Sequence, residues 1–364
     1  MSRGRTADVA VVGGGIVGLA CAWELRRRGL SVTLIERGRP GRESTWAAAG
    51  VIAAHHYGAG PGPLFDLLRR SLAAYPEFLE IVGAGQADWR CQGMLAVART
   101  AEEAAELTAR VSWLTEAGYA AEVLAPWELR ALEPSCTGSV EAAALFPADG
   151  SLDPRLLAAA LEKAVRSAGV DVLTDAKATS IEIGDSRVSG VCLVDEVVAA
   201  PAVVLAAGAW CARLAPGFRL PVRPCKGQMC AVRAEGPRRS VNFPEGVIVP
   251  RADGRIALGA TQENVGFDAH IDPEAIRQVL TDTAAIVPGL TNAEIVETWM
   301  GFRPQSADGF PVIGPTPVEG LVVATGHFTK GIALAPVTAE LVADLVCDGR
   351  LDPLLRPFGP DRFA

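Results

Sequence analysis

Three glycines near the start of the chain have the spacing of a phosphate-binding turn. The segment Gly13-Gly-Gly-Ile-Val-Gly18 follows the apolar run Val9 to Val12 directly. In this pattern Gly13 allows a tight turn, Gly15 lets a pyrophosphate approach the backbone, and Gly18 lets a helix pack against a strand. The free N–H groups at the start of that helix would hold the phosphates.

An acidic residue follows at the spacing that an adenosine ribose requires. Glu36 ends the next apolar run, Ser31-Val-Thr-Leu-Ile, and lies 18 residues beyond Gly18. A carboxylate at this position accepts hydrogen bonds from ribose hydroxyls and repels a 2′-phosphate. The two features together predict a dinucleotide site for FAD or NAD and disfavour NADP.

Arg303 is a candidate for binding an anionic substrate. It lies in an apolar stretch rich in glycine and proline, Trp299 to Gly314, which predicts irregular structure. A guanidinium offers two parallel donors to a carboxylate, and the pair is stronger in a poorly solvated pocket. From the residues alone, Arg303 could bind a substrate or form an internal ion pair with Asp308.

Two further segments could contact a planar cofactor. The small residues from Trp46 to Ala54 would let the backbone lie flat against a flavin ring, or they could form a buried helix. The segment Gly326 to Pro336 predicts a loop that leads into a helix. The positive end of that helix would favour the electron-rich edge of a reduced flavin.

The elements that must position these residues predict an α/β protein. The runs Val9 to Val12 and Ala202 to Trp210, the latter ending in small residues, are typical of neighbouring buried parallel strands, although nearly 190 residues separate them. Asp153 and Pro154 predict a helix start. We expect an FAD-binding, Rossmann-like domain with a parallel sheet (1–85, 146–218 and 301–364) and a substrate domain with an antiparallel sheet (86–145 and 219–300).

Composition restricts the possible partners. The 364 residues carry a net charge of −8, which argues against nucleic acid or an anionic membrane surface as the main partner. The N-terminal run is interrupted by glycines and predicts neither a signal peptide nor a membrane span. Eight cysteines without a C-x-x-C pattern indicate reduced thiols in the cytoplasm, and the scattered histidines predict no metal site.

Lys226 and Lys330 could be charges beside the flavin or solvated residues.

Taken together, the motifs resemble the D-amino-acid oxidase superfamily of flavoproteins, and most closely its glycine oxidases of thiamine biosynthesis. The resemblance covers nearly the whole chain. The segments that carry it are Gly13–Gly18 with Glu36, Ser44–Gly50, Pro224–Gln228, Val249–Thr261, Gly301–Asp308 and Gly326–Pro336.

The resemblance implies a glutathione-reductase-type fold and non-covalent FAD. Gly301 stands where some relatives carry a cysteine that attaches the flavin, so a covalent link there is excluded. The implied cofactor-binding residues are Gly13, Gly15, Ile16, Val17, Gly18, Glu36, Arg37, Ser44, Thr45, Ala49, Gly50, Val51, Ala178, Gly208, His327, Phe328, Thr329, Lys330, Gly331, Ile332 and Ala333.

On the substrate side, the resemblance makes Arg303 the catalytic, carboxylate-binding residue, with Val247, Gln262 and Thr329 around the substrate. Val247 replaces the tyrosine that supports the carboxylate in glycine oxidases, and Thr329 replaces an arginine. Gln262 stands where sarcosine oxidases place a lysine that activates oxygen. Strict specificity for glycine is therefore not expected.

The implied reaction is oxidative deamination of glycine or another small amino acid or secondary amine. It yields the keto acid, glyoxylate from glycine, and ammonia, while O2 is reduced to H2O2. Hydride would pass directly to the flavin without a side-chain base. Two alternatives stay open: a D-amino-acid or sarcosine-type oxidase or dehydrogenase with another acceptor, and a flavoprotein subunit of a multi-subunit amine dehydrogenase. Family members are commonly oligomers, which implies a homo-oligomer.

Overall fold

The computed structural model describes residues 5–55, 60–215 and 217–363. Its strands are β1 (Arg5–Thr6), β2 (Val9–Val12), β3 (Val32–Ile35), β4 (Val51–Ile52), β5 (Met94–Ala98), β6 (Glu122–Leu124), β7 (Ala142–Phe146), β8 (Gly150–Ser151), β9 (Asp171–Leu173), β10 (Ser180–Gly184), β11 (Arg187–Cys192), β12 (Val197–Ala199), β13 (Ala202–Leu205), β14 (Val222–Arg233), β15 (Val241–Phe243), β16 (Gly246–Pro250), β17 (Ile256–Gly259), β18 (Glu294–Ser306), β19 (Val312–Pro315) and β20 (Leu321–Thr325). Its α-helices are α1 (Ile16–Arg27), α2 (Ser44–Ala47), α3 (Pro63–Ile81), α4 (Ala101–Glu116), α5 (Pro126–Leu132), α6 (Pro154–Ser167), α7 (Cys211–Leu214), α8 (Pro273–Ala284) and α9 (Gly331–Asp348). Short 3-10 helices cover Gly208–Trp210, Pro288–Leu290, Pro353–Phe358 and Pro360–Phe363.

A six-stranded sheet forms the nucleotide-binding half, in the order β19-β20-β13-β2-β3-β9. Its strands run parallel except β19, which is antiparallel to β20. Ala202 pairs with Val9, so the predicted pairing of these two distant segments is confirmed. The alternation of parallel strands with helices confirms the α/β class.

Helices α1 and α9 pack against this sheet on the side of the main core, α6 packs against α1, and α3 packs against α9. α9 is buried along nearly all of its length, because it packs between α1 and α3. α6 begins as predicted: the Asp153 carboxylate accepts a hydrogen bond from the Arg155 N–H at 2.8 Å. These contacts fix the starts of α1 and α9, which both face the site described below.

An eight-stranded sheet forms the second half, in the order β18-β14-β17-β16-β15-β5-β7-β6. Neighbouring strands are antiparallel except β15 and β5. The prediction of irregular structure over 299–314 is wrong for 299–306, where β18 pairs with β14, and for 312–314, where β19 pairs with β20. Arg303 therefore lies on a long strand, opposite Cys225.

The strands of the six-stranded sheet all fall within the ranges predicted for the FAD-binding domain. β18 runs through the predicted boundary at 301 and carries Arg303 on the antiparallel sheet. The exact domain limits stay a prediction. Smaller sheets, β1-β12-β11-β10 and β4-β8, complete the two halves.

Across the described ranges, no helix is both long and apolar enough to cross a membrane. Within those same residues, no group of three or more His, Cys, Asp or Glu side chains could hold a metal ion.

Candidate active site

A cavity of about 610 Å³ is lined by residues from both large sheets. This volume lies within the range of small-molecule and cofactor sites, roughly 300–1,000 Å³. The turn after β2, the residue at the end of β3, and the start of α9 line it on one side. Residues of β14, β16 and β18 line it on the other.

The glycine turn is held tightly against the sheet. Gly13 has φ of +108°, and a Cβ there would lie 2.5 Å from the carbonyl oxygen of Ala206. A Cβ on Gly18 would lie 1.9 Å from the carbonyl oxygen of Gly13. Gly18 therefore lets α1 pack closely against the turn but does not line the cavity, whereas Gly13 and Gly15 do line it.

Glu36 is fixed in the cavity wall by backbone donors. Its carboxylate accepts hydrogen bonds from the N–H groups of Gly14 (2.7 Å) and Gly38 (2.9 Å). The residue is only 8% exposed. A carboxylate held in this way is oriented before any ligand binds, which suits the ribose-binding role predicted for it.

Two side-chain contacts shape the cavity wall near Glu36, one at the start of α1 and one between Arg37 and Trp210. The Ile16 N–H donates to Thr45 Oγ1 at 2.9 Å, so the hydroxyl holds α2 beside the helix start. The Arg37 guanidinium lies over the Trp210 ring at 3.7 Å and also forms an ion pair with Glu43. All five residues line the cavity.

Only Trp46 and Ala47 of the run of small residues are helical, and neither is fully buried, so the buried-helix alternative is wrong. The run continues without regular structure into the short strand β4. Arg251 anchors this segment by donating to the carbonyl oxygens of Ala49 and Leu152, each at 2.6 Å. Burial lowers the pKa of Arg251 to about 10. Ala49, Gly50 and Val51 line the cavity, and a Cβ on Gly50 would lie 2.0 Å from the Leu152 carbonyl oxygen.

The Arg303 guanidinium lies across strand β14. Its Nη1 donates to the carbonyl oxygen of Thr261 at 2.9 Å. A Cβ on Gly227 would lie 2.3 Å from Nη1, 2.4 Å from Nη2 and 2.5 Å from Cζ. The guanidinium can reach Thr261 because Gly227, on the intervening strand, has no side chain.

The internal ion pair considered for Arg303 involves a carboxylate that is bound elsewhere. Asp308 accepts hydrogen bonds from the Arg362 guanidinium at 2.7 and 3.1 Å. Arg303 lines the cavity. Its position favours the substrate role over a pair with Asp308.

The wall around Arg303 is mainly apolar. Val247, Met229 and Phe243 line the cavity there, and each is at most 8% exposed. Gln262 and Thr329 also line it and add polar groups. Here the Arg303 guanidinium would meet the carboxylate of a small zwitterion beside apolar walls, where charge-assisted hydrogen bonds are strong.

The loop before α9 contributes His327, Phe328 and Thr329 to the cavity wall. The His327 ring is buried, and its Nε2 lies 3.1 Å from Thr338 Oγ1. Burial, together with the charge of Lys330, lowers the pKa of His327 to about 3. This histidine is therefore neutral at physiological pH.

The two lysines singled out in the sequence are not solvated. Lys226 is 2% exposed, and its ammonium lies 3.4 Å from the Glu263 carboxylate. Lys330 is 7% exposed, its ammonium lies 5.4 Å from the centre of the Phe328 ring, and burial lowers its pKa to about 8.

The cavity thus brings together all but three of the residues predicted for the site. Gly18, Lys330 and Ala333 do not line it. Trp210, Met229 and Phe243 line it without having been predicted, because they carry no motif of their own. Met229 lies two residues after Gly227, on the same face of β14, and this spacing from the 224–228 motif is the signal that could have indicated it.

The residues present fit FAD. The buried carboxylate of Glu36 can accept hydrogen bonds from the ribose hydroxyls, and the N–H groups at the start of α1 can bind the phosphates. The small residues of the cavity wall leave room for the flavin ring. At Gly301 there is no thiol, and a Cβ would lie 2.4 Å from that of Ala47. The fold and this cavity define a dinucleotide-binding protein in which the antiparallel sheet forms one wall of the site.

Comparison with known proteins identifies the family. The DAO family profile, described as FAD dependent oxidoreductase, matches residues 8–345, and the chain belongs to this family. The predictions of the family and of non-covalent FAD are thereby confirmed.

Among relatives, the bifunctional protein ThiO/ThiG of Synechocystis sp. is 34% identical over 370 residues, which cover 98% of this chain and 54% of that protein. The chain thus spans about half the length of the ThiO/ThiG proteins. A glycine oxidase from Geobacillus kaustophilus is 36% identical over 352 residues, which cover 93% of this chain and 92% of the relative. The crystal structure of glycine oxidase from this organism superposes with a TM-score of 0.93 over 98% of both chains. Hydrogen cyanide synthase subunit HcnC of Pseudomonas aeruginosa is 30% identical, over 99% of this chain and 97% of that subunit.

Proposed function

We propose that the chain oxidises glycine or another small amino acid or secondary amine to an imine, with O2 reduced to H2O2. Water then hydrolyses the imine to the keto acid, with release of ammonia from a primary amine or of the corresponding primary amine from a secondary amine such as sarcosine. The observation that carries this proposal is the Arg303 guanidinium in the wall of the cavity, seated over Gly227. The glycine oxidase and ThiO/ThiG relatives support the same reaction and a role in thiamine biosynthesis.

Arg303 would bind the substrate carboxylate. One of its donors is already engaged by the Thr261 carbonyl, which fixes the plane of the guanidinium. A carboxylate that reaches this guanidinium from the cavity would then meet it in one orientation only. This single anchor directs the α-carbon and amine of a small substrate along the cavity.

FAD, when bound, supplies the acceptor for the two electrons and the α-hydrogen of the substrate. The chain would contribute orientation and exclusion of water, since Val247, Met229 and Phe243 are buried around the anchor. His327 is too weakly basic to take a proton, because its pKa is lowered to about 3 by burial. The arrangement therefore suits substrates that enter with a neutral amine.

Val247 and Thr329 favour a broad substrate range. The resemblance places a tyrosine and an arginine at these positions in glycine oxidases, and Val247 offers no hydrogen bond to a carboxylate. We therefore expect sarcosine and small D-amino acids to be accepted beside glycine. We also propose a cytoplasmic location, which the eight free thiols support.

The test is a substrate panel of glycine, sarcosine, N-ethylglycine, D-alanine and D-proline on the purified chain. Peroxide and keto acid are measured together in air, and an artificial electron acceptor replaces O2 in a parallel series. Equal amounts of peroxide and keto acid support the oxidase. Turnover only with the artificial acceptor would indicate a dehydrogenase instead.

Absence of turnover by the isolated chain with either acceptor would contradict the proposed function. Because the chain is similar to the HcnC subunit, that result would indicate a flavoprotein that is active only with a partner. Size-exclusion chromatography of the same preparation would also test the expected homo-oligomer.

A further inference from the structure

The backbone that holds Arg303 in place is itself tied down by a buried polar cluster. After β17, residues 261–263 continue along β14. The Lys226 N–H donates to the Glu263 carbonyl at 3.0 Å, and the Glu263 N–H donates to the Lys226 carbonyl at 2.9 Å. Thr261 lies between this pairing and the end of β17. Its carbonyl accepts the 2.9 Å hydrogen bond from Arg303.

Glu263 is the common acceptor of the cluster. Its carboxylate accepts hydrogen bonds from Gln228 Nε2 at 2.7 Å and from the Thr261 hydroxyl at 2.5 Å. The Lys226 ammonium lies 3.4 Å away, and the Asp268 carboxylate is the next acid at 3.8 Å from it. The Thr261 hydroxyl in turn accepts from the Gln228 N–H at 2.9 Å.

The burial of the donors makes this carboxylate costly to lose. Lys226 is 2% exposed and Gln228 is fully buried, whereas the other acid near Lys226, Asp268, is more than half exposed. A buried ammonium requires a nearby opposite charge. Partial burial raises the pKa of Glu263, but the hydrogen bonds from Thr261 and Gln228 and the charge of Lys226 outweigh it and lower the pKa.

We propose that Glu263 is a positioning residue for the substrate-binding arginine. It fixes the Thr261 backbone, and the Thr261 carbonyl fixes the Arg303 guanidinium over Gly227. Glu263 acts on substrate affinity through Arg303, although it is absent from the lining of the cavity. This inference rests on the proposed function, because it assumes that Arg303 binds a carboxylate.

The experiment compares Glu263→Ala and Glu263→Gln with the wild type, with Glu274→Gln as control. Glu274 is an exposed acid on α8 that pairs with Arg277. Acetate serves as the probe for carboxylate binding without chemistry, and its dissociation constant is read from the perturbed visible spectrum of bound FAD. KM and kcat for glycine, FAD affinity and Tm are measured on the same preparations.

We expect Glu263→Ala to raise the acetate dissociation constant and the glycine KM together by about tenfold, since small displacements of a binding group are costly. FAD affinity should stay unchanged, and kcat should change much less than KM. Glu263→Gln keeps an acceptor oxygen and should show a smaller increase. Glu274→Gln should match the wild type.

Acetate and glycine constants within twofold of wild type in both variants would overturn the proposal. A fall in Tm without a change in the acetate constant would overturn it too, because the cluster would then be only structural. If Glu263→Ala does not fold, Glu263→Gln decides by the same criteria. A wild type that neither oxidises glycine nor binds acetate would instead refute the proposed function, and this inference with it.

Discussion

Gly227→Ala is the substitution that most directly perturbs the substrate anchor. The added methyl carbon would lie 2.3–2.5 Å from three atoms of the Arg303 guanidinium. Ordinary contacts between heavy atoms are about 3.5–4.0 Å, so the whole group must move by about 1 Å or more. The conflict involves Cζ as well as both terminal nitrogens, so rotation of the guanidinium cannot relieve it.

The magnitude follows from what the movement breaks. Arg303 would lose its 2.9 Å hydrogen bond to Thr261 and the orientation that this bond imposes. A hydrogen bond to a charged group contributes about 1.5–3 kcal/mol, equivalent to roughly a 10- to 150-fold loss of substrate affinity. FAD should remain bound, because Glu36 and the glycine turn lie at a different part of the wall.

The assay is an anaerobic titration of the bound flavin with acetate, together with glycine KM in air. Gly184→Ala is the matched control, since Gly184 also lies in a strand and a Cβ there would meet nothing within 4 Å. We expect the control to match the wild type. Unchanged acetate and glycine constants in a Gly227→Ala protein that holds FAD would refute the assignment of Arg303.

Three further substitutions test other parts of the site. Arg251→Met should lower the free energy of unfolding by about 2–4 kcal/mol and weaken FAD binding, because the carbonyl oxygens of Ala49 and Leu152 lose their donor. Urea unfolding measures the stability, and titration with FAD measures the affinity. Between pH 6.5 and 3, His327 is protonated in the unfolded chain but stays neutral in the folded chain, so the free energy of unfolding should fall by about 1.4 kcal/mol per pH unit on acidification. His327→Asn should remove this pH dependence, which urea unfolding at several pH values measures. The same pH dependence in both proteins would contradict the burial argument. Val247→Tyr should lower the glycine KM several-fold, because the tyrosine hydroxyl adds a donor for the substrate carboxylate. It should reduce kcat/KM for D-proline, because the ring fills part of the substrate pocket. A lower KM for both substrates would show that the pocket is not limited by size.

The nucleotide-binding half of the fold could be predicted well from the sequence. Short apolar runs, a glycine turn and an acid at fixed spacing are local signals, and they located β2, β3 and β13 together with Glu36. The start of α6 was predicted for the same reason, because Asp153 acts on its own next turn. The pairing of β13 with β2 is long-range, and the predicted similarity of these two buried apolar runs was enough to indicate it.

The substrate side was harder to predict, because its geometry depends on contacts between strands. Glycine and proline in 299–306 indicated irregular structure, yet residues 299–306 pair with β14 in continuous register. The importance of Gly227 appears only when Arg303 is seen to cross it. Lys226 was left open between a charge beside the flavin and a solvated residue, since nothing in the sequence shows that it is buried against Glu263.

The most direct test of the account is anaerobic addition of glycine to the purified, FAD-loaded chain and to its Arg303→Ala variant. We predict that the visible absorbance of the flavin bleaches in the wild type. At the same glycine concentration the variant should stay yellow while retaining FAD. Equal bleaching of the two proteins, or a wild type that does not bind FAD, would contradict the account.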